Sequence, residues 1–297
     1  TPAFVHGGPF ANIAHGTNTV IADEMGRSLA DYTVTEAGFA ADLGLEKFAD
    51  IVARRGLVPD AVVLVATVRA LKYHGLDMWP ADYDRLAEPD VEAVREGLAN
   101  LEHHMDVIRS FGLPFVVAVN RFPDDTDAEV GAVVDALESR GVRVAVSEMH
   151  ARGSEGGRGL ADHVVDLVER ESSDFAPLYD LEASLREKIE TVGREVYGAA
   201  EVTFTDDAAA DLERLAADGM DGLPVCISKT QHSITDDSAV KGAPRDWTLT
   251  VRRLYPSAGA GFVVALTGDV LTMPGLPAEP AAEDMDVDAD GTVSGLF

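Results

Sequence analysis

The sequence predicts an α/β fold built on a parallel sheet, and three observations carry that prediction. The apolar runs at 61–67, 115–120 and 142–146 are short, rich in Val and uninterrupted, as expected for strands buried on both faces of a parallel sheet. Between them the apolar period changes to that of a helix. Val91, Val94, Leu98, Leu101, Met105 and Ile108 step by three or four along one helical face, while Glu92, Arg95, Glu96 and Glu102 take the other. The resulting order of strand, helix and strand is a βαβ unit, whose crossover should be right-handed.

Taken along the chain, Gly112 and Pro114 end the first long helix and lead into the run at 115–120. A second helix is expected from Thr126 to about Arg140, closed by Gly141 before Val142. A glycine-rich loop at 153–159 then precedes three helical stretches, the clearest marked by Leu181, Leu185, Ile189, Val192 and Val196. From Leu223 onward alternation returns, at 248–255 and 262–272, so the last quarter reads as strands and turns. Residues 286–291 imitate the first half of an EF-hand loop, but the twelfth position, which needs a bidentate Glu, is Phe297. Asp290-Gly291 is therefore expected to be a hairpin turn between 285–287 and 292–293. A division near residue 100 gives two expected regions, 1–100 and 101–297.

Charge narrows the classes of function. Across 297 residues, 24 Lys and Arg face 52 Asp and Glu, a formal net charge of -28. With 46% hydrophobic residues the chain is too apolar to be a disordered polyanion, and it is long enough for one large or two ordinary domains. Nucleic acid and anionic membrane surfaces are excluded as expected partners, because both require clustered Lys and Arg. Asp outnumbers Glu 31 to 21 and only 5 of the basic residues are Lys. That pattern suits a halophilic protein, since charges are screened over about 3 Å at 1 M salt; an ordinary acidic cytosolic protein is the other reading. The single Cys226 leaves no internal disulfide or multi-cysteine zinc cluster and fits a reducing compartment. There is no apolar run of membrane-spanning length and no signal-peptide order, so a cytoplasmic location is expected. The sequence is in full stride from Thr1 and reads as the middle of a longer chain.

Ligands of open α/β sheets sit beyond the carboxyl ends of the strands. That rule points to Asn120-Arg121-Phe122-Pro123 and to Ser147-Glu148-Met149-His150, where an aromatic ring and an imidazole could grip a flat heterocycle. The alternative is that Phe122 packs on the next helix and His150 is solvated. Residues 6–16 hold His6, Gly7, Gly8, Asn12 and His15, and glycines let backbone N–H groups approach an anion. Arg69 and Lys72 follow the first strand and suit a phosphate or carboxylate; an ion pair with a nearby acid is the alternative. His103-His104 has no third ligand at metal spacing and reads as a solvated or capping pair. Neither the Walker A pattern nor the dinucleotide fingerprint occurs.

Several stretches together resemble the formate–tetrahydrofolate ligase family. They are Val5-His6-Gly7-Gly8-Pro9-Phe10-Ala11-Asn12-Ile13-Ala14-His15-Gly16, Thr35-Glu36-Ala37-Gly38-Phe39, Glu46-Lys47-Phe48, Arg69-Ala70-Leu71-Lys72, Asn120-Arg121-Phe122-Pro123, Lys229-Thr230-Gln231, Met273-Pro274-Gly275-Leu276-Pro277 and Gly295-Leu296-Phe297. The resemblance implies ATP-dependent ligation of formate to tetrahydrofolate through formyl phosphate, with Mg2+ accompanying ATP, a monovalent cation as activator and a homotetramer as the assembly. It implies a P-loop-NTPase-like domain remnant followed by a C-terminal α/β domain. Phe122, Pro123, Phe39 and His150 would then bind folate, with His150 standing where the family usually has Trp. His6, Gly7, Gly8, Asn12, His15, Arg69 and Lys72 would line the nucleotide and formyl-phosphate wall. The family's P-loop half is absent here, so turnover would require a further P-loop-bearing chain. A non-catalytic folate-binding or regulatory module is the alternative, and the missing fingerprint disfavours a nicotinamide enzyme.

Overall fold

In the computed structural model, residues 2–5, 11–268, 270 and 278–295 are described. An amphipathic helix, α1 (Val20–Leu29), begins at Thr19, whose hydroxyl accepts from the Ala22 N–H. Two wide, irregular helical turns follow, Ala40–Leu45 and Phe48–Val52. Then come β1 (Val62–Ala66), α2 (Val68–Gly75), α3 (Tyr83–Ala87) and the long α4 (Val91–Ser110). Next are β2 (Phe115–Asn120), α5 (Asp127–Glu138), β3 (Val144–Ser147), the single turn α6 (Met149–Arg152) and α7 (Arg158–Arg170). The remainder holds α8 (Leu185–Glu195), β4 (Glu201–Phe204), α9 (Asp206–Ala217), β5 (Val225–Ser228), β6 (Thr248–Ser257) and β7 (Phe262–Thr267).

Strands β1, β2 and β3 form the expected parallel sheet, in that order. A second, mixed sheet runs β4-β6-β7-β5. The chain closes on the predicted hairpin: β8 (Asp286–Val287) pairs with β9 (Val293–Ser294), and Gly291 takes φ 87° in the turn, a conformation glycine adopts without strain. The clearest expected helix starts at Leu185 rather than near Leu181. Ser184 and Glu187 form a capping box that sets this start.

One expectation holds only in part. Burial on both faces is true of β2, where Val116, Val117, Ala118 and Val119 are all buried. Strand β1 leaves Val63 at 38% and Val65 at 60% exposure, and β3 leaves Val146 at 37%. The cause is coverage. Helices α2, α4 and α5 pack on one face of the sheet, against Leu64, Ala66, Val117 and Val119, while α7 covers the other face over β2 and β3.

Residue 100 falls inside α4, and the Asn100 amide donates to the Gly242 carbonyl at 3.0 Å, so the regions 1–100 and 101–297 share this helix. A single large apolar cluster runs from Ala41 through Val119 and Ile189 to Ala265, joining both sheets. Helices α2 and α4 meet at two glycines. A Cβ on Gly97 would lie 2.0 Å from the Leu71 carbonyl oxygen, and one on Gly75 would lie 1.9 Å from that of Ala93. Replacing Gly97 with Ala improves helix propensity by about 1 kcal/mol, but overpacking against backbone costs about 1–3 kcal/mol or more. Gly97→Ala is expected to be net destabilising, read as a lower denaturant midpoint; an unchanged midpoint would show that the helices separate freely.

Candidate functional site

The carboxyl ends of the three parallel strands each deliver one exposed or half-buried side chain to the same place. After β1, Thr67 caps α2 by accepting from the Ala70 N–H at 3.1 Å, which sets Arg69 in the first turn. After β2, the Asp125 carboxylate accepts the Phe122 N–H at 2.8 Å and the Arg121 N–H donates to the Ser147 carbonyl at 2.9 Å. These bonds hold Phe122 at the turn, and Thr126 with Glu129 then caps α5. After β3, the Glu148 N–H donates to the Gly156 carbonyl at 3.0 Å, and α6 presents His150. The glycine-rich loop serves this corner. A Cβ on Gly156 would meet the Glu148 backbone at 2.4 Å, so only glycine lets the loop close against the strand end.

The three groups converge on the Phe122 ring. His150 lies with its ring centroid 6.1 Å away at 41°, and the Arg69 guanidinium carbon lies 5.9 Å from the same centroid. Phe122 is half-buried, while Pro123, His150 and Arg69 are exposed. Arg69 makes no ion pair among the described residues, in a chain with 52 acids. Its cation is thus available at the mouth.

Lys72 goes elsewhere. It is 2% exposed, and its Nζ pairs with Glu129 Oε1 at 2.9 Å and donates to the Glu88 carbonyl at 3.0 Å. Glu129, fully buried on α5, also accepts from the Asp90 N–H at 2.9 Å and the Thr126 hydroxyl at 2.6 Å. Burial works to raise the Glu129 carboxyl, but hydrogen bonds from Thr126, Asp90 and Lys72 outweigh it and hold it at about 2. The ion-pair alternative describes Lys72, which ties α2 to α5 behind the mouth.

The remaining expected wall residues lie around the irregular helical turns. His6, Gly7 and Gly8 fall outside the described residues, as do residues 273–277. Asn12 is buried and donates through Nδ2 to the Lys229 carbonyl at 2.5 Å, so its hydrogen bonding is turned inward. His15 is half-buried in the same segment, and Gly16 packs against the backbone of Gly44 and Phe48. Phe39 is half-buried immediately before Ala40–Leu45. Lys229 itself pairs with Asp42 at 2.7 Å.

His103 and His104 are half-buried rather than solvated, and of the two expected readings His103 takes the capping one, since Val196 is the C-cap of α8. His103 Nε2 lies 2.7 Å from the Val196 carbonyl, and burial lowers His104 to about 4, against the opposing pull of Asp42. A cavity of about 20 Å³ is lined by Asp42, His74, His104, Gln231 and Ser233. That is room for about one water, and it excludes a pterin or a nucleotide. A second, open concavity, about 270 Å³, lies at the opposite, amino end of the sheet. Its Arg109, Arg140 and Arg143 are each paired with an acid, Asp106, Glu102 and Glu171 respectively. Ligands of parallel sheets bind at the carboxyl ends, so the Phe122 mouth is the candidate.

The family model described as formate–tetrahydrofolate ligase matches residues 1–297. This chain belongs to the formate–tetrahydrofolate ligase family. It is 60% identical over 300 residues to a formate–tetrahydrofolate ligase of Haloquadratum walsbyi, covering 100% of this chain and 52% of the relative. It is 57% identical over 300 residues to one of Haloarcula marismortui, covering 100% of this chain and 54% of that relative. The chain thus spans about half the length of these curated ligases.

The ligase-family motifs also conceal a buried charge network that the sequence analysis missed. Asp42, Glu46, Lys47 and Asp50 are all buried. Glu46 and Lys47 have no hydrogen-bond partner for their charged atoms among the described residues. Burial, reinforced by Asp50, pushes the Glu46 carboxyl well above its ordinary range. Burial likewise raises Asp50 to about 7, although the Leu178 N–H and Arg54 work against it. The available signal was the spacing of three or four residues between these charges in a chain with five lysines. Among the described residues, no group of three or more His, Cys, Asp or Glu is placed to hold a metal ion. No described helix is long and apolar enough to cross a membrane.

Proposed function

We propose that this chain contributes the folate-binding portion of an enzyme that joins formate to tetrahydrofolate at the expense of ATP. In that reaction a formate oxygen attacks the γ-phosphorus and ADP leaves; N10 of tetrahydrofolate then attacks the formyl carbon, phosphate leaves, and the N10 proton passes to solvent. The products are 10-formyltetrahydrofolate, ADP and phosphate. Mg2+ would arrive with ATP as part of the substrate complex.

One observation carries the folate assignment: Arg69, Phe122 and His150 meet at the ends of adjacent parallel strands. Phe122 offers a π-face to the pterin. A ring held between both side chains at van der Waals contact needs about 7 Å, more than the 6.1 Å between their centroids. The exposed His150 would therefore turn aside and close over the ligand, while the helix-capped turn keeps Phe122 in place. Arg69 would neutralise oxyanion charge beside the ring, whether on the substrate carboxylates or on formyl phosphate. This local cation matters because the overall charge of -28 opposes the approach of anionic substrates.

The test is a folate titration of this chain and two variants in multimolar salt. Phe122→Ala is expected to weaken binding by about tenfold or more, on the 1–3 kcal/mol scale of stacking on aromatic rings. His150→Trp is expected to strengthen it by about 1 kcal/mol. No binding by the unmodified chain would remove the folate reading, and equal affinities in all three would remove the roles of these rings. Formyl-folate synthesis is expected only when the unmatched half of a relative is supplied. Folate binding without nucleotide dependence, even then, would instead favour a non-catalytic module.

A further inference from the structure

The turn that carries Phe122 is held from both sides. Phe122 and Pro123 open a four-residue turn in which the Asp125 N–H donates to the Phe122 carbonyl at 3.0 Å. Proline at the second position of such a turn is pre-set for it, and it restricts the residue before it to extended backbone. The carbonyl side of Phe122 is thereby constrained locally. Its N–H side is constrained by a side chain, since Asp125 Oδ2 accepts the Phe122 N–H at 2.8 Å.

Neither charge pairing nor helix capping accounts for Asp125. The residue is 9% exposed, and its carboxylate makes no ion pair among the described residues. Arg121, the nearest cation along the chain, gives its guanidinium to Asp127 at 2.6 Å and to the Asp125 main-chain carbonyl at 3.4 Å. Helix α5 begins one residue later, but Thr126 and Glu129 supply its cap between them. Burying a carboxylate without a counter-charge is costly unless hydrogen bonds offset it. The bond from the Phe122 N–H is such an offset, and an ionised acceptor makes it about twice as strong as a neutral one would.

We propose that Asp125 is a positioning residue of the folate mouth: through the Phe122 N–H its carboxylate fixes the ring on which the pterin stacks. This rests on the folate reading and deepens it, by dividing the mouth into a fixed jaw and a moving one. His150, the moving jaw, is exposed on a four-residue helical turn whose start has no side-chain cap. The Arg121 N–H, bonded to the Ser147 carbonyl at 2.9 Å, ties the base of the fixed jaw to the end of β3. Holding one ring in its binding position before the ligand arrives removes the cost of ordering it from the binding step. The task needs an acceptor oxygen beside the Phe122 N–H and not a negative charge, so a side-chain amide should also perform it.

The experiment titrates this chain, Asp125→Ala, Asp125→Asn and Leu215→Ala with folate in multimolar salt, and follows hydrogen exchange of the Phe122 amide in each. Asp125→Ala is expected to bind folate about tenfold more weakly, the cost of ordering a freed aromatic side chain and its turn. Its Phe122 amide is expected to exchange at least about tenfold faster. Asp125→Asn keeps an oxygen that can accept the Phe122 N–H, and is expected to restore both properties to within about threefold of the unmodified chain. Leu215, at 0% exposure on α9 against β6, is the control for general destabilisation. Leu215→Ala is expected to lower the denaturant midpoint and leave folate affinity unchanged. An affinity loss in Leu215→Ala as large as that in Asp125→Ala would overturn the proposal, and so would unchanged affinity in Asp125→Ala. Asp125→Asn as weak as Asp125→Ala would also overturn it, because the ligand would then need the charge itself. Failure of the unmodified chain to bind folate sinks the folate reading and this proposal together, whereas binding that survives Asp125→Ala sinks this proposal alone.

Discussion

Glu129→Ala is expected to destabilise the protein by about 3–5 kcal/mol, because it strands the Lys72 ammonium, 2% exposed, without its counter-charge. The same change leaves the Asp90 N–H without its acceptor and removes half of the capping box of α5. Chemical denaturation in high salt measures the loss. Salt screening should reduce it little, since the pair is out of water. Lys72→Met combined with Glu129→Leu is expected to recover most of the stability, because an apolar pair of similar volume often replaces a buried ion pair at no net cost. A single variant within about 1 kcal/mol of the unmodified protein would show that the pair is not closed in solution. The consequence reaches the candidate site, because α2 carries Arg69 and α5 follows the Phe122 turn. Folate affinity should fall with stability in Glu129→Ala and return in the double variant.

Asp42→Asn is expected to have an effect of similar size, about 3–5 kcal/mol near neutral pH, for the same reason at a different place. Lys229 is fully buried, and Asp42 at 2.7 Å is its counter-charge. Burial disfavours the Asp42 charge, but Lys229 and then His104 outweigh burial and keep the carboxyl below its ordinary range. For Lys229, burial lowers the ammonium and Asp42 opposes that lowering. With Asn in place of Asp42 the opposition disappears, so the folded pKa of Lys229 drops further. Between that depressed value and the unfolded value near 10.4 the unfolded chain binds more protons than the folded one, so stability rises with pH. The deficit of Asp42→Asn should accordingly shrink as pH is raised from neutral, by at most about 1.4 kcal/mol per unit. A deficit independent of pH would mean that Lys229 finds another partner or reaches water.

The strands and helices near the candidate site were legible because their patterns are local. Strand β2 is apolar on both faces and became the central strand; Thr126 and Gly141 bounded α5; Asp290-Gly291 announced the last hairpin. The mouth was legible too, because Phe122 and His150 follow two strand runs, and a parallel sheet brings successive carboxyl ends side by side. What escaped was anything set by partners distant in sequence. His104 reads as a surface residue of α4 until Asp42 and the turns around it bury it. Glu46 and Lys47 stand in the sequence only as part of a family motif, and it is packing in the tertiary structure that removes them from water. Val65 reads as a core residue of a buried strand, and nothing local says that α7 stops one strand short.

By itself the sequence determined the α/β class, the acidic surface, the strand ends that bear Phe122 and His150, and the family that its motifs resemble. These depend on composition, on residue spacing within one element, and on motif identity, all of which survive without knowledge of neighbours. The tertiary structure decided which cation of α2 stays at the mouth. Arg69 sits in the first turn beside Phe122, whereas Lys72, one turn deeper, meets Glu129 from a helix 57 residues away. It also decided that α7 covers β2 and β3 but leaves Val63 and Val65 of β1 exposed among the described residues. Charge pairing and surface burial are properties of pairs of elements, and a pattern read along one chain records only one member of each pair.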